Sequence, residues 1–329
     1  MTERPERNLG MELVRVTEAA AMNAARWMGR RQKELGDQAA VDAMRLMLDT
    51  VDMDGIVVIG EGEKDEAPML YNGEKVGNGD GPEVDVAVDP VEGTTLLAKG
   101  QPNAIAVIGV APRGSMWNPG PGFYMEKIAV GPEAAGVIDL DAPVAVNLQK
   151  IAKVKGKDIS DLTVFVLERP RHDKLIAEIA AAGARVALYG DGDVAGALMA
   201  AMPDTNIDVM MNVGGTPEGV ITACAIKSVG GQLLGRLSPQ SQAEKEALEA
   251  GGLDLNRILS VDDLVSGDDI HFAATGITTG RLLRGVRYAG GSARTYSMSI
   301  RGRSGTIRYI EAVHQWDKLM KISDIDYNK

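Results

Sequence analysis

The sequence predicts an α/β protein built on a mixed or parallel sheet. From about Leu162, strand-like and helix-like segments alternate, which calls for crossover connections. Upstream, "VDVAVD" (84–89) and "AIAVIGVAP" (104–112) have the composition of buried strands. Acidic or glycine-rich clusters begin where strands stop: Gly60-Glu61, Asp89-Pro90, Glu168-Arg169, Gly190-Asp191 and Gly214-Gly215. In open α/β sheets ligand sites gather at the carboxyl ends of strands, so these distant segments are expected to meet in one cleft.

Leu9 to Gln32 repeats apolar residues at helical spacing, through Leu13, Val16, Ala20, Ala24 and Trp27. Asp37 to Val51 does the same. Between them "GRRQKELGD" reads as a charged loop, with Asp37 as N-cap of the second helix. "GIVVIG" (55–60) reads as a short buried strand running into the acidic "EGEKDE", and "YMEKIAVG" (124–131) as another strand. "LTVFVLE" precedes a helix from His172 to Ala182; "RVALYG" leads through "DGD" to a helix from Val194 to Met202. "IDVMMNVGG" leads through "TPEG" to a helix ending at Val229. The last third, with "ARTYSMSIRGRSGTIRYIEAV", has hairpin character. The best internal boundary lies near "KVKGKDISD" (153–161), dividing an N-terminal α/β region, 1–155, from a C-terminal α/β region, 156–329.

The chain has 329 residues and a net charge of −11, from 35 basic against 46 acidic residues. That balance argues against a nucleic-acid or anionic-membrane surface, while metals and a few arginines still allow an anionic small substrate. "MTERPERNLG" has no apolar stretch of the secretory kind, and no run approaches the ~18 apolar residues of a membrane span, so a cytoplasmic setting is expected. The single cysteine, Cys224, lies in apolar "ITACAI" and reads as a buried, inert thiol. Three histidines, none in an HExxH pattern, make a histidine-ligated zinc site improbable.

The densest chemistry follows the strand at 84–89. Pro90 is expected to end that strand, since proline donates no ladder hydrogen bond. Gly93 permits a sharp turn, and Asp89 and Glu92 can then converge with Thr94 at a helix start. The competing account makes Asp89 a helix cap and Glu92 a solvated turn residue; for one D-x-x-E alone it would be preferred. A second acidic cluster, Glu61, Glu63 and Asp65, shifts the balance. Two carboxylates ~4 Å apart repel by about 4 kcal/mol at an effective dielectric of ~20. Several sharing one site therefore require a cation or altered protonation, and oxygen-only ligands suit Mg²⁺ or Mn²⁺.

"DPVEGTT", with upstream "IGEGEKDEAPMLY", resembles the D-P-x-D/E-G-T signature of the lithium-sensitive, metal-dependent sugar phosphatases. The whole chain resembles the class II fructose-1,6-bisphosphatases, through "GDQAAVDAMR" (36–45), "IGEGEKDEAPMLYNGEKVG" (59–77), "VDPVEGTT" (88–95), "YMEKIAVGP" (124–132), "RPRHD" (169–173), "DGDV" (191–194) and "GGTPEGV" (214–220). The resemblance implies a layered α-β-α-β-α sugar-phosphatase fold with mixed sheets, and a homodimer or homotetramer. It implies metal ligands at Asp37, Glu61, Asp89, Glu92 and Glu218, holding two or more Mg²⁺ or Mn²⁺ ions. It puts an activating threonine at Thr94 and a further acid needed for activity at Asp65. Substrate contacts fall on Glu92, Gly93, Thr94, Tyr124, Arg169, Pro170, Arg171, Asp191, Gly192, Asp193 and Gly215. Arg169 stands where some members carry lysine; arginine keeps the charge and adds bidentate phosphate recognition.

The implied reaction is hydrolysis of fructose 1,6-bisphosphate to fructose 6-phosphate and phosphate, in gluconeogenesis. Phosphate monoester hydrolysis demands up to ~10²¹-fold acceleration, and a lone general base supplies only ~10²–10⁴. Positioning and charge neutralisation must supply the rest. Water would attack phosphorus in line, positioned by Thr94 and deprotonated with help from Asp65 or Asp37. Arg169 and Arg171 would clamp the distal phosphate; by spacing alone they equally fit a solvated basic turn. "DGD" (191–193) would accept hydrogen bonds from sugar hydroxyls, although Asp and Gly also suit a helix cap. Tyr124 reads as a sugar or phosphate contact or as an ordinary strand residue. Glu218 also fits the ordinary preference for acids in a first helical turn. The loop "GRRQKELG" (29–36) could bring Lys33 over the substrate, although a solvated loop is the preferred reading, and Trp27, Trp117 and Trp316 read as packing. Sedoheptulose 1,7-bisphosphate is a candidate second substrate. The alternatives are an inositol monophosphatase or nucleotide phosphatase and, in a different class, a non-catalytic metal or sugar-phosphate binding regulator.

Overall fold

The computed structural model describes residues 9–62, 69–323, 325 and 327. Asp65 and Glu63 lie outside the described residues. Along the chain come α1 (Gly10–Ala24), α2 (Lys33–Leu48), β1 (Asp54–Ile59), β2 (Lys75–Val76), β3 (Glu83–Glu92), α3 (Thr94–Lys99) and β4 (Ile105–Pro112). Then follow β5 (Tyr124–Val130), α4 (Val144–Lys155), β6 (Thr163–Leu167), α5 (Asp173–Ala181), β7 (Arg185–Tyr189), α6 (Asp193–Ala201), β8 (Val209–Gly215) and α7 (Thr216–Ser228). The remainder is β9 (Gln232–Leu237), α8 (Gln242–Ala250), β10 (Leu259–Ser260), α9 (Val261–Leu264), β11 (His271–Gly276), β12 (Arg287–Ala289), β13 (Ser292–Arg301), β14 (Thr306–Gln315) and α10 (Trp316–Leu319).

These strands make two mixed sheets. The first runs β12-β13-β11-β4-β3-β1-β2, with β14 on the far side of β13; the second runs β10-β9-β5-β8-β6-β7. Three apolar clusters define the layers. Leu13, Val16, Ala20 and Met44 of α1 and α2 pack on Val86, Ile108 and Ala273, one face of the first sheet. Val194, Leu198, Val220 and Cys224 of α6 and α7 pack between Val107 and Phe272 of the first sheet and Met125, Phe165 and Met210 of the second. Leu148, Ile151 and Ile179 of α4 and α5 cover Val164, Val166 and Ile128 on the outer face of the second. The result is the expected α-β-α-β-α stack. Helix α7 is buried on nearly every side, as a helix enclosed by two sheets must be.

Strands from both sides of residue 155 enter both sheets: β5 joins the second, and β11 to β14 extend the first. A local reading cannot anticipate this, because sheet membership depends on which edge the returning chain meets.

Three local expectations are corrected. The first helix stops at Ala24, followed by a 3₁₀ turn over Ala25–Trp27, because the chain reverses through Gly29 and Arg31 at φ 74° and 59°. Asp37 caps nothing: α2 begins at Lys33, which puts Asp37 inside the helix. Pro90 does not end its strand, since β3 continues to Glu92. The proline is tolerated because β1 stops pairing at Ala87, and a one-residue bulge between Asp89 and Glu92 already interrupts the ladder to β4.

Candidate active site

The site grows from the end of β3. The bulge turns Asp89, whose Oδ1 accepts the Val91 N–H at 3.0 Å. Gly93 follows at φ 91°, a left-handed conformation that starts α3 directly at Thr94. Glu92 reaches across to the inter-sheet helices: its Oε1 accepts the Val194 N–H at 2.8 Å, in the first turn of α6. There a carboxylate meets unsatisfied amides and the positive end of the helix dipole.

Helix α7 brings Glu218. One oxygen each of Asp89, Glu92 and Glu218 lies within 4.8 Å of the others. Asp37, Glu61, Thr94 and Lys33 line the same cavity, of about 290 Å³. A second cavity of about 440 Å³ is lined by Tyr124, Arg169, Arg171, Gly192, Asp193 and Gly215. The two share Glu92, Asp191, Pro217 and Glu218 as common lining, so they form one continuous cleft. Of the expected site residues, Asp65 lies outside the described residues, Pro170 lines neither cavity, and the others line this cleft.

The electrostatics describe a site short of positive charge. Burial is the largest influence on each carboxyl. It pushes Glu61 up to about 7, with help from the Asp37 and Glu218 charges. Burial, then Glu61 and Glu218, holds Asp89 well above the usual carboxylate range. Burial, then Asp89 and Asp193, does the same to Glu92. Glu218 is raised by burial and by Asp193, against the opposing charge of Lys127. Asp37 is raised by burial, with Lys33 opposing.

Does this arrangement fit a cation? Glu218 Oε2 is buried with no hydrogen-bond partner among the described residues, in a fold where such oxygens are normally satisfied. Gly215 leaves it room, since a Cβ there would lie 1.6 Å from that oxygen. A hard divalent cation meets the needs of three converging carboxylates and one unpartnered oxygen together. The donor set fits.

The arginines are already engaged. Arg169 donates to Gly190 O at 2.6 Å and sits 3.5 Å from Asp191. Arg171 donates from Nε and one terminal nitrogen to Val213 O, and its guanidinium lies 5.1 Å from the Tyr124 ring centroid. Each keeps donors spare on the cavity rim. One residue was missed at the sequence level. Lys127, 1 % exposed, pairs with Asp193 at 2.6 Å behind the second cavity. Its signal was available: Met125, Lys127 and Ala129 alternate on the inward face of β5, where a lysine is out of place.

A sequence model of the family described as "Bacterial fructose-1,6-bisphosphatase, glpX-encoded" matches residues 7–314. The chain belongs to that family. It is 46% identical over 325 residues to "Fructose-1,6-bisphosphatase 1 class 2" of Escherichia coli strain K12, covering 95% of this chain and 96% of that protein. "Fructose-1,6-bisphosphatase class 2" of Shigella flexneri is similar to the same extent, 46% over 325 residues with 95% and 96% covered. Among the described residues no helix is long and apolar enough to cross a membrane.

Proposed function

We propose that this chain is a phosphoric monoester hydrolase that converts fructose 1,6-bisphosphate to fructose 6-phosphate and phosphate, the reaction used in gluconeogenesis. The observation that carries the reading is the approach of Asp89, Glu92 and Glu218 within 4.8 Å, opening onto a cavity with Arg169 and Arg171 on its rim. Family membership supports it.

In this reading Asp37, Glu61, Asp89, Glu92 and Glu218 would hold two or more Mg²⁺ or Mn²⁺ ions, which when bound would supply charge neutralisation for the phosphoryl group and a lower pKa for water. The protein's own groups do the rest. Thr94 orients the water from the first turn of α3, and Asp37 or Asp65 takes its proton. Arg169 and Arg171 clamp the distal phosphate with charge-assisted hydrogen bonds. Asp191 and Asp193 accept from sugar hydroxyls, and Tyr124, under the Arg171 guanidinium, closes the side of the cavity. The setting is the cytoplasm, and the assembly a homodimer or homotetramer.

The test is phosphate release from fructose 1,6-bisphosphate, inositol monophosphate and adenosine bisphosphate, each with Mn²⁺ and with chelator. Release from the sugar bisphosphate alone, abolished by chelator, is expected. Preference for either of the other two, or release that survives chelation, would discard the reading.

A further inference from the structure

We infer that Lys127 is a positioning residue for the sugar end of the substrate, acting through Asp193 and the Gly215 carbonyl. The inference rests on the reading that the larger cavity takes a sugar bisphosphate.

Lys127 does not line that cavity; it lies behind it, 1 % exposed. Its ammonium is 2.6 Å from Asp193 Oδ2 and donates to Gly215 O at 2.6 Å. Asp193 opens α6, and Gly215 ends β8 immediately before α7. One buried charge thus ties together the starts of the two helices that supply Glu92's amide partner and Glu218. The glycine beside it belongs to the same arrangement: a Cβ on Gly214 would lie 1.9 Å from Asp193 Oδ2 and 3.3 Å from Lys127 Nζ.

Stability does not explain the pair. Asp193 is 4 % exposed, so both charges have been taken out of water. The desolvation cost of such a pair largely offsets its attraction, and apolar replacements of similar volume commonly fold as well or better. Met125 and Ala129, the neighbours of Lys127 on that face, are apolar. An aliphatic residue would complete the layer at less electrostatic cost. What it could not do is hold one oxygen of Asp193 against the wall. With that oxygen fixed, the orientation of the carboxylate toward the cavity is fixed too. Preorganised acceptors of this kind lower the cost of ordering a bound polyol.

The experiment uses the Mn²⁺-loaded enzyme and compares wild type, Lys127→Met, Asp193→Asn and the double variant. Two constants are read: KM for fructose 1,6-bisphosphate, and the inhibition constant of inorganic phosphate, a probe that carries no sugar. Lys127→Met is expected to raise KM roughly tenfold, or about 1.4 kcal/mol. It should change kcat by less than about threefold and leave phosphate inhibition within about twofold of wild type. In the Asp193→Asn background the same substitution should alter KM by less than about twofold, because the two residues act as a unit. Asp193→Asn removes the charge that Lys127 holds at nearly unchanged side-chain size and guards against a Lys127→Met chain that does not fold; alone it should show the same split between KM and phosphate inhibition. Unchanged KM in both single variants, parallel weakening of sugar and phosphate binding, or additive effects in the double variant would overturn the inference. Wild type that releases no phosphate from fructose 1,6-bisphosphate would instead overturn the functional reading.

Discussion

Glu92 Oε1 accepts the backbone N–H of Val194 at 2.8 Å, so a carboxylate at the end of β3 is anchored to the first turn of a helix 102 residues further along the chain. One oxygen of Glu92 is thereby occupied by the fold. Its orientation toward Asp89 and Glu218 is set before any ligand arrives, and the first sheet is linked to the inter-sheet layer at the point where the chemistry is proposed to occur.

Thr94 opens α3 beside that carboxylate. Thr94→Ala removes the hydroxyl proposed to orient water and leaves the acidic residues in place. We expect kcat to fall on the order of 10²–10³-fold with Mn²⁺ affinity within about threefold of wild type. Steady-state kinetics paired with Mn²⁺ titration checks it, and near-normal turnover would remove Thr94 from the mechanism.

Gly215→Ala addresses the room left for Glu218. The new Cβ would sit 1.6 Å from Glu218 Oε2, so the carboxylate has to move. A loss of roughly 10–100-fold in Mn²⁺ affinity is expected, the range seen when groups supporting a metal ligand are disturbed. Calorimetric titration of the folded variant reads this directly, and wild-type affinity would show that Glu218 holds no ion.

Glu61 predicts how the metal-free protein responds to pH. Its folded value of about 7 lies above the ordinary 4.5, so the folded state retains a proton that the unfolded chain has released. Where the folded state binds more protons, stability falls as pH rises. The Glu61 contribution is unpenalised below about 4.5 and declines until pH passes about 7, by on the order of 3 kcal/mol in total. His271, held down to about 4 by burial and by the Arg301 charge, acts in the opposite sense below its ordinary 6.5. The readout is therefore the difference between wild type and Glu61→Gln in metal-free thermal unfolding from about pH 5 to about pH 8. Wild type should lose stability relative to the variant as pH rises. Parallel curves would show that Glu61 is not perturbed.

Cys224 is fully buried on α7, and burial pushes its thiol up to about 12. The folded enzyme should resist thiol reagents at about pH 8 for hours, and denaturant should expose one reactive thiol per chain. Fast labelling of the native protein would mean that the inter-sheet layer opens far more readily than its packing implies.

The parts of this molecule that depend on neighbours in sequence were open to inspection in the chain itself. Alternation in "VDVAVD" and the unbroken apolar run "AIAVIGVAP" mark β3 and β4, and the residues after strand ends mark where a cleft would gather its acids, because side-chain direction along a strand is a local property. Local reasoning failed at Pro90 and Asp37. A proline is acceptable once a neighbouring strand has ended, and a helix start depends on what the preceding loop packs against. Tertiary structure alone decided that β5 and β11 to β14 change sheets, that Glu92 meets Val194, and that Lys127 stands behind Asp193. Each of these depends on α6 and α7 being enclosed between two sheets. Burying that shared apolar layer brings segments a hundred residues apart within hydrogen-bond distance, and no window of the sequence contains both partners.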